Sequence, residues 1–327
     1  MSPARSRRPR TGLVLGAGGV LGAAWSIGAL NAIAEVDGVL PHASDIIVGT
    51  SAGSVLAALL GAGFTAEQLR AHQLGMPLPH RVGIGWDYDS ATGGAFPARP
   101  KLAVGSPALL RRSVTNPRHV PPLAVLAALT PPGSGNLAAV GAMVGSVADA
   151  SGWVAREGIY VMSLDYDSGR RVAFGRHGSP PATIAEAVMA SCAIPGWYAP
   201  VMINGRRYID GGAWSTSNVD VLAREEVEQV YVVAPMASFV LDHPHTLTGR
   251  IERRVRRQIT RRLLHEAGRV RETGAALTIL APGPEDLAVM GANMMDPSRR
   301  LEVLETSLRT SAEALRHPRP DDLSGAV

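Results

Sequence analysis

After ten arginine-rich residues the chain runs Leu13-Val14-Leu15, then a glycine-rich loop at 16–22, then an alanine-rich stretch of helical character from about Ala23 to Ala34. The same succession returns at once: Asp45-Ile46-Ile47-Val48, a glycine-bounded turn at 49–53, and a helix from about Ser54 to Leu60. Short apolar runs without polar alternation suit strands buried on both faces, and strand–loop–helix units in series build a parallel sheet. Gly61 and Gly63 supply the stop of the second helix.

From about residue 76 to 152 the periodicity fades, and ten prolines fall between residues 77 and 132. This stretch is expected to be an irregular or short-helical cap inserted into the domain. Order returns at Ile159 to Leu164, which the turn Asp165-Tyr166-Asp167-Ser168-Gly169 joins to Arg171 to Phe174 as an antiparallel pair. A helix over Ala182 to Ala190 precedes a second hairpin, Val201 to Ile203 and Arg206 to Ile209, whose Asn204-Gly205 suits a type I′ turn and leaves Asp210 at a strand end. Strands at Gln229 to Ala234 and Ala276 to Leu280 flank an arginine-rich helix, and a last helix covers 299–315. The pattern predicts a three-layer α/β/α sandwich with a mostly parallel central sheet over residues 11–317. A basic tail at 1–10 and a frayed tail at 318–327 complete the chain, and no internal repeat is present.

At 327 residues and 46% hydrophobic content the chain can bury a large core. Its single cysteine, Cys192, excludes an internal disulfide framework and a multi-cysteine metal site and fits a reducing, cytoplasmic compartment. The basic start followed by Leu13-Val14-Leu15 imitates a secretory signal, but Gly16, Gly18, Gly19 and Gly22 interrupt the apolar run. No uninterrupted run of about 18 apolar residues predicts a membrane-spanning helix. The net charge of +4 is uneven: four arginines lie at 5–10 and nine at 250–271, leaving the rest of the chain acidic on balance. Within 250–271, Ile251, Val255, Ile259, Leu263 and Ala267 recur every four residues as an apolar stripe that would pack on the sheet. The arginines around it could draw the protein to an anionic membrane surface. Nucleic acid is not expected as a partner, because no aromatic residues interleave with the arginines.

Three elements carry candidate chemistry. Ser51, inside Gly49-Thr50-Ser51-Ala52-Gly53, sits where a strand turns into a helix, and flanking residues without a Cβ let such a turn reach strained dihedrals and expose Oγ as a nucleophile. The loop Gly16-Ala17-Gly18-Gly19-Val20-Leu21-Gly22 presents unobstructed amides at a helix start and can bind an anion, either a phosphate or a tetrahedral oxyanion. It does not keep the dinucleotide spacing, since Gly16-Ala17-Gly18 is followed by Leu21, and Asp37 lies in a turn beside Gly38 rather than at a strand end. Asp210, with Gly211 and Gly212 behind it, would serve as the base if its carboxylate reaches Ser51 Oγ directly. A serine elbow of this kind is also compatible with a Ser-His-Asp arrangement, for which His243, His245, His265 and His317 follow in chain order. A non-catalytic protein that holds a phosphate, nucleotide or lipid on the glycine loop is the other alternative.

Taken together and in this order, the elements resemble the patatin-like phospholipase family. Ala190-Ser191-Cys192-Ala193-Ile194-Pro195 and Pro200-Val201 are similar to the segment that precedes that family's aspartate. The resemblance covers about residues 12–220 and implies a patatin-like fold with a Ser51–Asp210 dyad, no catalytic histidine, no metal or cofactor, and hydrolysis of acyl esters in lipids. It implies that the amides of Gly18, Gly19 and Val20 form the oxyanion hole. The sequence departs from the family loop in two places: Ala17 replaces a glycine, and Leu21 stands where an arginine is usual. The loss of that charge leaves the head-group preference open.

Overall fold

The structure is a computed structural model that describes residues 8–76, 103–116, 120–239 and 247–317. Most of the terminal tails, a large part of the predicted cap, and His243 and His245 lie outside the described residues. Strands β1 (Thr11–Leu15) and β2 (Ile46–Thr50) are followed by helices α1 (Gly19–Val36) and α2 (Ala52–Gly61), and α3 (Ala66–Gln73) comes next. Then come β3 (Ile159–Asp165), β4 (Arg171–Phe174), β5 (Val201–Ile203), β6 (Arg206–Asp210), β7 (Gln229–Val233) and β8 (Ala276–Leu280). The remaining helices are named by their residues.

The central sheet is eight-stranded and mostly parallel, with helices on both faces. β3, β2, β1, β7 and β8 lie side by side and parallel, and β4, β5 and β6 add antiparallel pairings. Every residue of β1, β2 and β3 is buried, which explains their unbroken apolar runs. Alternate residues feed different cores: Leu13, Leu15 and Ile47 join α1 and α2, while Val14, Ile46 and Val48 join the long helix Leu247–Arg271. α1 is long and apolar enough to cross a membrane, but it is 67% buried in the protein's own core. There it packs on the helix Arg300–Arg316, and Ser307 Oγ donates to the Trp25 carbonyl at 2.6 Å.

Several boundaries differ from the expected ones. α1 begins at Gly19 rather than Ala23, so Gly19 and Val20 belong to its first turn. α3 was not anticipated, although Thr65 and Gln68 form a reciprocal capping box at its start. The described residues between 103 and 152 are short-helical, with helices at Pro107–Thr115, Pro122–Leu129 and Ala138–Gly145, the first two having proline at the first turn. The first two share a small core with Leu164, Tyr166 and Ile209, whereas Val140, Met143 and Val144 of the third enter the main core.

The apolar stripe of the arginine-rich helix needs correcting. Ile259, Leu263, Ala267 and Val270 are buried as a row, but Val255 is 44% exposed and Arg256, at 2% exposure, takes the inner position beside it. With 3.6 residues per turn a strict four-residue spacing drifts round the helix, and Val255 falls off the buried face. The side chain of Ile251 lies outside the description.

Candidate active site

The register of β3 brings the two candidate catalytic residues together. Along one edge of β3, residues Val161 to Leu164 pair with β4. Along the other, Ile159 to Met162 pair with β2, and Ser163 to Asp165 pair with β6. The parallel β2 and the antiparallel β6 therefore run towards each other on one side of β3 and meet end to end. Thr50 stands opposite Met162 and Asp210 opposite the next residue, Ser163. Ser51 and Asp210 are thus the residues at the junction of two converging strand ends.

Ser51 has φ 54° and ψ −126°, a positive-φ conformation outside the αL well of the kind that costs a non-glycine residue about 1–3 kcal/mol and clusters at functional sites. The turn closes onto α2 through Ser54, whose amide and hydroxyl both donate to the Ser51 carbonyl, at 2.7 and 2.6 Å. Gly53 is required by close approach: a Cβ there would lie 2.1 Å from the Leu15 carbonyl oxygen and 2.8 Å from that of Gly16. The Ser51 amide donates to Ser191 Oγ at 2.8 Å, and the Ser191 hydroxyl donates in turn to the Met162 carbonyl at 2.6 Å. Ser191 so bridges the gap in the ladder where β2 stops. It ends the helix Ile184–Ser191, and the Ala190-Ser191-Cys192 segment flagged it, but nothing in the sequence gave it this task.

The Asp210 carboxylate is buried, and burial pushes its pKa up to about 6, against the pull of the Ser51 hydroxyl and the Gly212 amide. The Gly212 amide donates to Asp210 Oδ1 at 2.7 Å. The Asp210 amide donates to the Ala193 carbonyl at 3.0 Å, which ties the strand end to the segment after Ser191. A carboxylate poised near neutrality beside a hydroxyl has the range of a general base.

The glycine loop lies beside this junction. Gly16 donates to the Val233 carbonyl, Ala17 to that of Thr216 and Leu21 to that of Met294, at 2.9, 2.8 and 3.0 Å. The amides between them, of Gly18, Gly19 and Val20, make no hydrogen bond among the described residues. They open the N-terminus of α1, where unpaired donors and the helix dipole favour negative charge. Gly19 has φ +60°, and a Cβ on it would come within 2.9 Å of the Met294 carbonyl oxygen. Leu21 is fully buried in the core and does not line the pocket.

Ser51 forms part of the wall of an apolar cavity between α1 and α2. Val20, Ala23 and Ile27 line it from α1, and Val55, Leu56 and Leu59 from α2. These positions follow each other at helical spacing, so the cavity extends from the serine along about 12 Å of α2. Leu137, Val140 and Met143 close another side, so among the described residues of the predicted cap only this part reaches the cavity. His72 and Gln73 of α3 also line it, and burial lowers the pKa of His72. Of the candidate histidines among the described residues, His265 is exposed beside Arg269 and His317 ends the last helix; the groups that act on the Asp210 carboxylate are the Ser51 hydroxyl and the Gly212 amide.

The segment after Asp210 braces both loops, a role the sequence did not reveal. Asn218, fully buried with φ 55°, donates through Nδ2 to Thr50 Oγ1 at 3.0 Å and accepts from Arg171. Ser215 and Ser217 both donate to the buried Glu266 on the arginine-rich helix. That helix spends much of its charge internally: Arg253 and Arg256 pair with Glu252, Arg262 with Glu266 and Arg269 with Asp220. Arg254, Arg257 and Arg261 remain exposed at spacings of three and four.

A family model described as patatin-like phospholipase matches residues 13–96 and 138–223, more than half of the chain. The first segment holds the glycine loop and Ser51, and the second holds Ser191 and Asp210. The helices Pro107–Thr115 and Pro122–Leu129 fall in the gap between them. No curated protein matches the sequence.

Proposed function

Because the chain belongs to the patatin-like phospholipase family, whose members hydrolyse lipid acyl esters, we propose that it is a serine acyl hydrolase working through Ser51 and Asp210 alone. The observation that carries this reading is the junction itself: a serine on a strained elbow and a buried carboxylate meet at two converging strand ends, and the Ser51 hydroxyl pulls the Asp210 pKa down against its burial. Three amides without partners among the described residues stand at the adjoining helix start.

In the proposed reaction Asp210 takes the Ser51 proton as Oγ attacks the ester carbonyl carbon. The carbonyl π electrons move onto oxygen, and the resulting oxyanion is held by the amides of Gly18, Gly19 and Val20. Collapse of the intermediate breaks the C–O bond, and protonated Asp210 returns the proton to the leaving alkoxide. The acyl group, now on Ser51, lies with its chain in the cavity along α2. Water then enters, gives a proton to Asp210 and attacks the acyl carbon; the second collapse releases the carboxylic acid and restores the Ser51 hydroxyl. The apolar wall favours an aliphatic acyl chain by burial of its surface.

A fluorophosphonate probe tests the proposal, since it reacts with a serine made nucleophilic by its neighbours. Labelling is expected in the wild type and is expected to vanish in Ser51→Ala and Asp210→Asn. A wild type that folds and remains unlabelled, or labelling that survives Ser51→Ala, would end the proposal. The Ser-His-Asp alternative predicts a different pattern, with loss of labelling in one of His243→Ala, His245→Ala, His265→Ala or His317→Ala.

A further inference from the structure

One arginine of the long helix is buried against both segments that hold the glycine loop from behind, and we propose that Arg256 is a positioning residue for the oxyanion amides. The inference rests on the reading of Gly18, Gly19 and Val20 as the oxyanion hole.

The Arg256 guanidinium is 2% exposed, which is rare for an arginine and requires good partners. Its NH1 donates to the Pro235 carbonyl at 2.8 Å and reaches towards that of Ala237 at 3.5 Å. Its Nε pairs with Glu252 one turn earlier, and its NH2 lies 3.7 Å from Met294 Sδ. Pro235 and Met294 are the residues that press on the loop. A Cβ on Gly18 would meet Pro235 Cγ at 2.8 Å, and one on Gly22 would meet the same ring at 3.3 Å. The Met294 carbonyl accepts from the Leu21 amide and faces Gly19. One planar fork therefore fixes the two surfaces against which Gly18, Gly19, Leu21 and Gly22 rest.

Arginine suits this task because its donors point in fixed directions in one plane, whereas a lysine offers one compact charge on a flexible stem. Leu21 stands in the core, and the guanidinium behind the loop comes instead from a helix far along the chain. Losing it would let Pro235 and Met294 shift and carry the amides with them. Those amides bind the oxyanion and not the acyl chain, so the loss falls on the transition state rather than on substrate binding.

The helix keeps a separate anchor when Arg256 is cut. One turn further on, Thr260 Oγ1 accepts from the Ser238 amide at 3.0 Å, and its one proton is shared between the Arg256 carbonyl at 2.8 Å and the Ser238 carbonyl at 3.1 Å. Arg256→Met is therefore expected to fold.

The test compares wild type, Arg256→Met, Arg256→Lys and the exposed neighbour Arg257→Met on a soluble p-nitrophenyl ester and on the rate of fluorophosphonate labelling. Rates are normalised to the labelled fraction, so unfolded molecules do not count. Arg256→Met is expected to lower kcat and the labelling rate about tenfold to a hundredfold with KM within about twofold, because it misplaces donors that act on the oxyanion. Arg256→Lys should recover part of the loss and Arg257→Met should match wild type. If Arg256→Met does not fold, Arg256→Lys decides by the same split between kcat and KM. Normalised rates equal to wild type in the folded variant, or an equal fall in Arg257→Met, would overturn the proposal. A wild type that never labels overturns the acyl hydrolase reading as well, and is recognised before any variant is compared.

Discussion

The Ser51 carbonyl is tied to a residue three positions away, whereas the backbone of Asp210 is tied to partners distant in sequence. The elbow is closed by Ser54 on the Ser51 carbonyl and by the contact of Gly53 with Leu15 and Gly16. Asp210 is set by its register against Ser163 and by its amide on the Ala193 carbonyl. Their energetic costs differ in kind as well. The serine carries backbone strain, which is independent of pH, and the aspartate carries desolvation of a charge, which disappears on protonation. A local motif can be strained into place, and a non-local one must be assembled by the whole sheet.

The comparison breaks most severely at Gly53. A methyl group there would overlap backbone atoms on the neighbouring strand end, which cannot rotate aside as a side chain could. Gly53→Ala is expected to destabilise the protein by more than about 4 kcal/mol, in the range reserved for severe steric conflict, and to abolish labelling. Gly205→Ala is the contrast: unlike Gly53 it has positive φ, but its Cβ would have nothing within 4 Å. It should cost only about 1–2 kcal/mol, the ordinary cost of a left-handed non-glycine residue. Thermal melts of both variants check the difference, and a loss at Gly53 no larger than that at Gly205 would show that the elbow relieves the contact by shifting.

The second effect has the opposite sign. The pKa of Asp210 rises from 3.8 to about 6 on folding, so the folded state binds more protons than the unfolded one between those values. Stability contributed by this group therefore falls as pH rises through that window, and above it the charged carboxylate costs the protein about 3 kcal/mol. Asp210→Asn removes the charge, and it is expected to be inactive yet about 2–3 kcal/mol more stable than wild type at pH 8. The advantage should shrink as pH falls below about 6 and be gone below 3.8. Wild-type hydrolysis should itself decline below pH about 6, as Asp210 loses its capacity to accept the serine proton. Denaturant melts at three pH values measure the first effect. An Asn variant no more stable than wild type at pH 8 would mean that the carboxylate is better solvated than its burial suggests.

The same division explains what the sequence disclosed. The elbow, the glycine loop and the Asn204-Gly205 hairpin are local patterns of residue type, and each stands where its spacing put it, with Asn204 and Gly205 both at positive φ. The partnership of Ser51 with Asp210 follows from β3 changing neighbours between Met162 and Ser163, and no local pattern encodes that change. Arg256 was hidden because a row of nine arginines reads as a solvated face, and only the drift of the helix shows which one turns inward. α3 shows only its Thr65-to-Gln68 cap in the sequence, because its eight residues bury just Ala66, Leu69 and Gln73 and so carry little apolar period.

Ser191 joins the two regions and gives the finest test of the contrast. β2 ends at Thr50, so the next link of the ladder from β3, the Met162 carbonyl, would face no strand amide; the Ser191 hydroxyl donates to it and accepts from the Ser51 amide. Both backbone groups are at buried residues, and Ser191→Ala would leave each without a partner. The expected cost is about 2 kcal/mol, the usual penalty for stranding buried polar groups after partial relaxation. A smaller loss of labelling rate should accompany it, because the Ser51 carbonyl stays tied to Ser54 while its amide is freed. If the elbow is set locally, labelling survives in Ser191→Ala while melting temperature drops. If labelling disappears with the fold intact, the elbow depends on β3 as much as Asp210 does, and the distinction between the two regions is one of sequence distance alone.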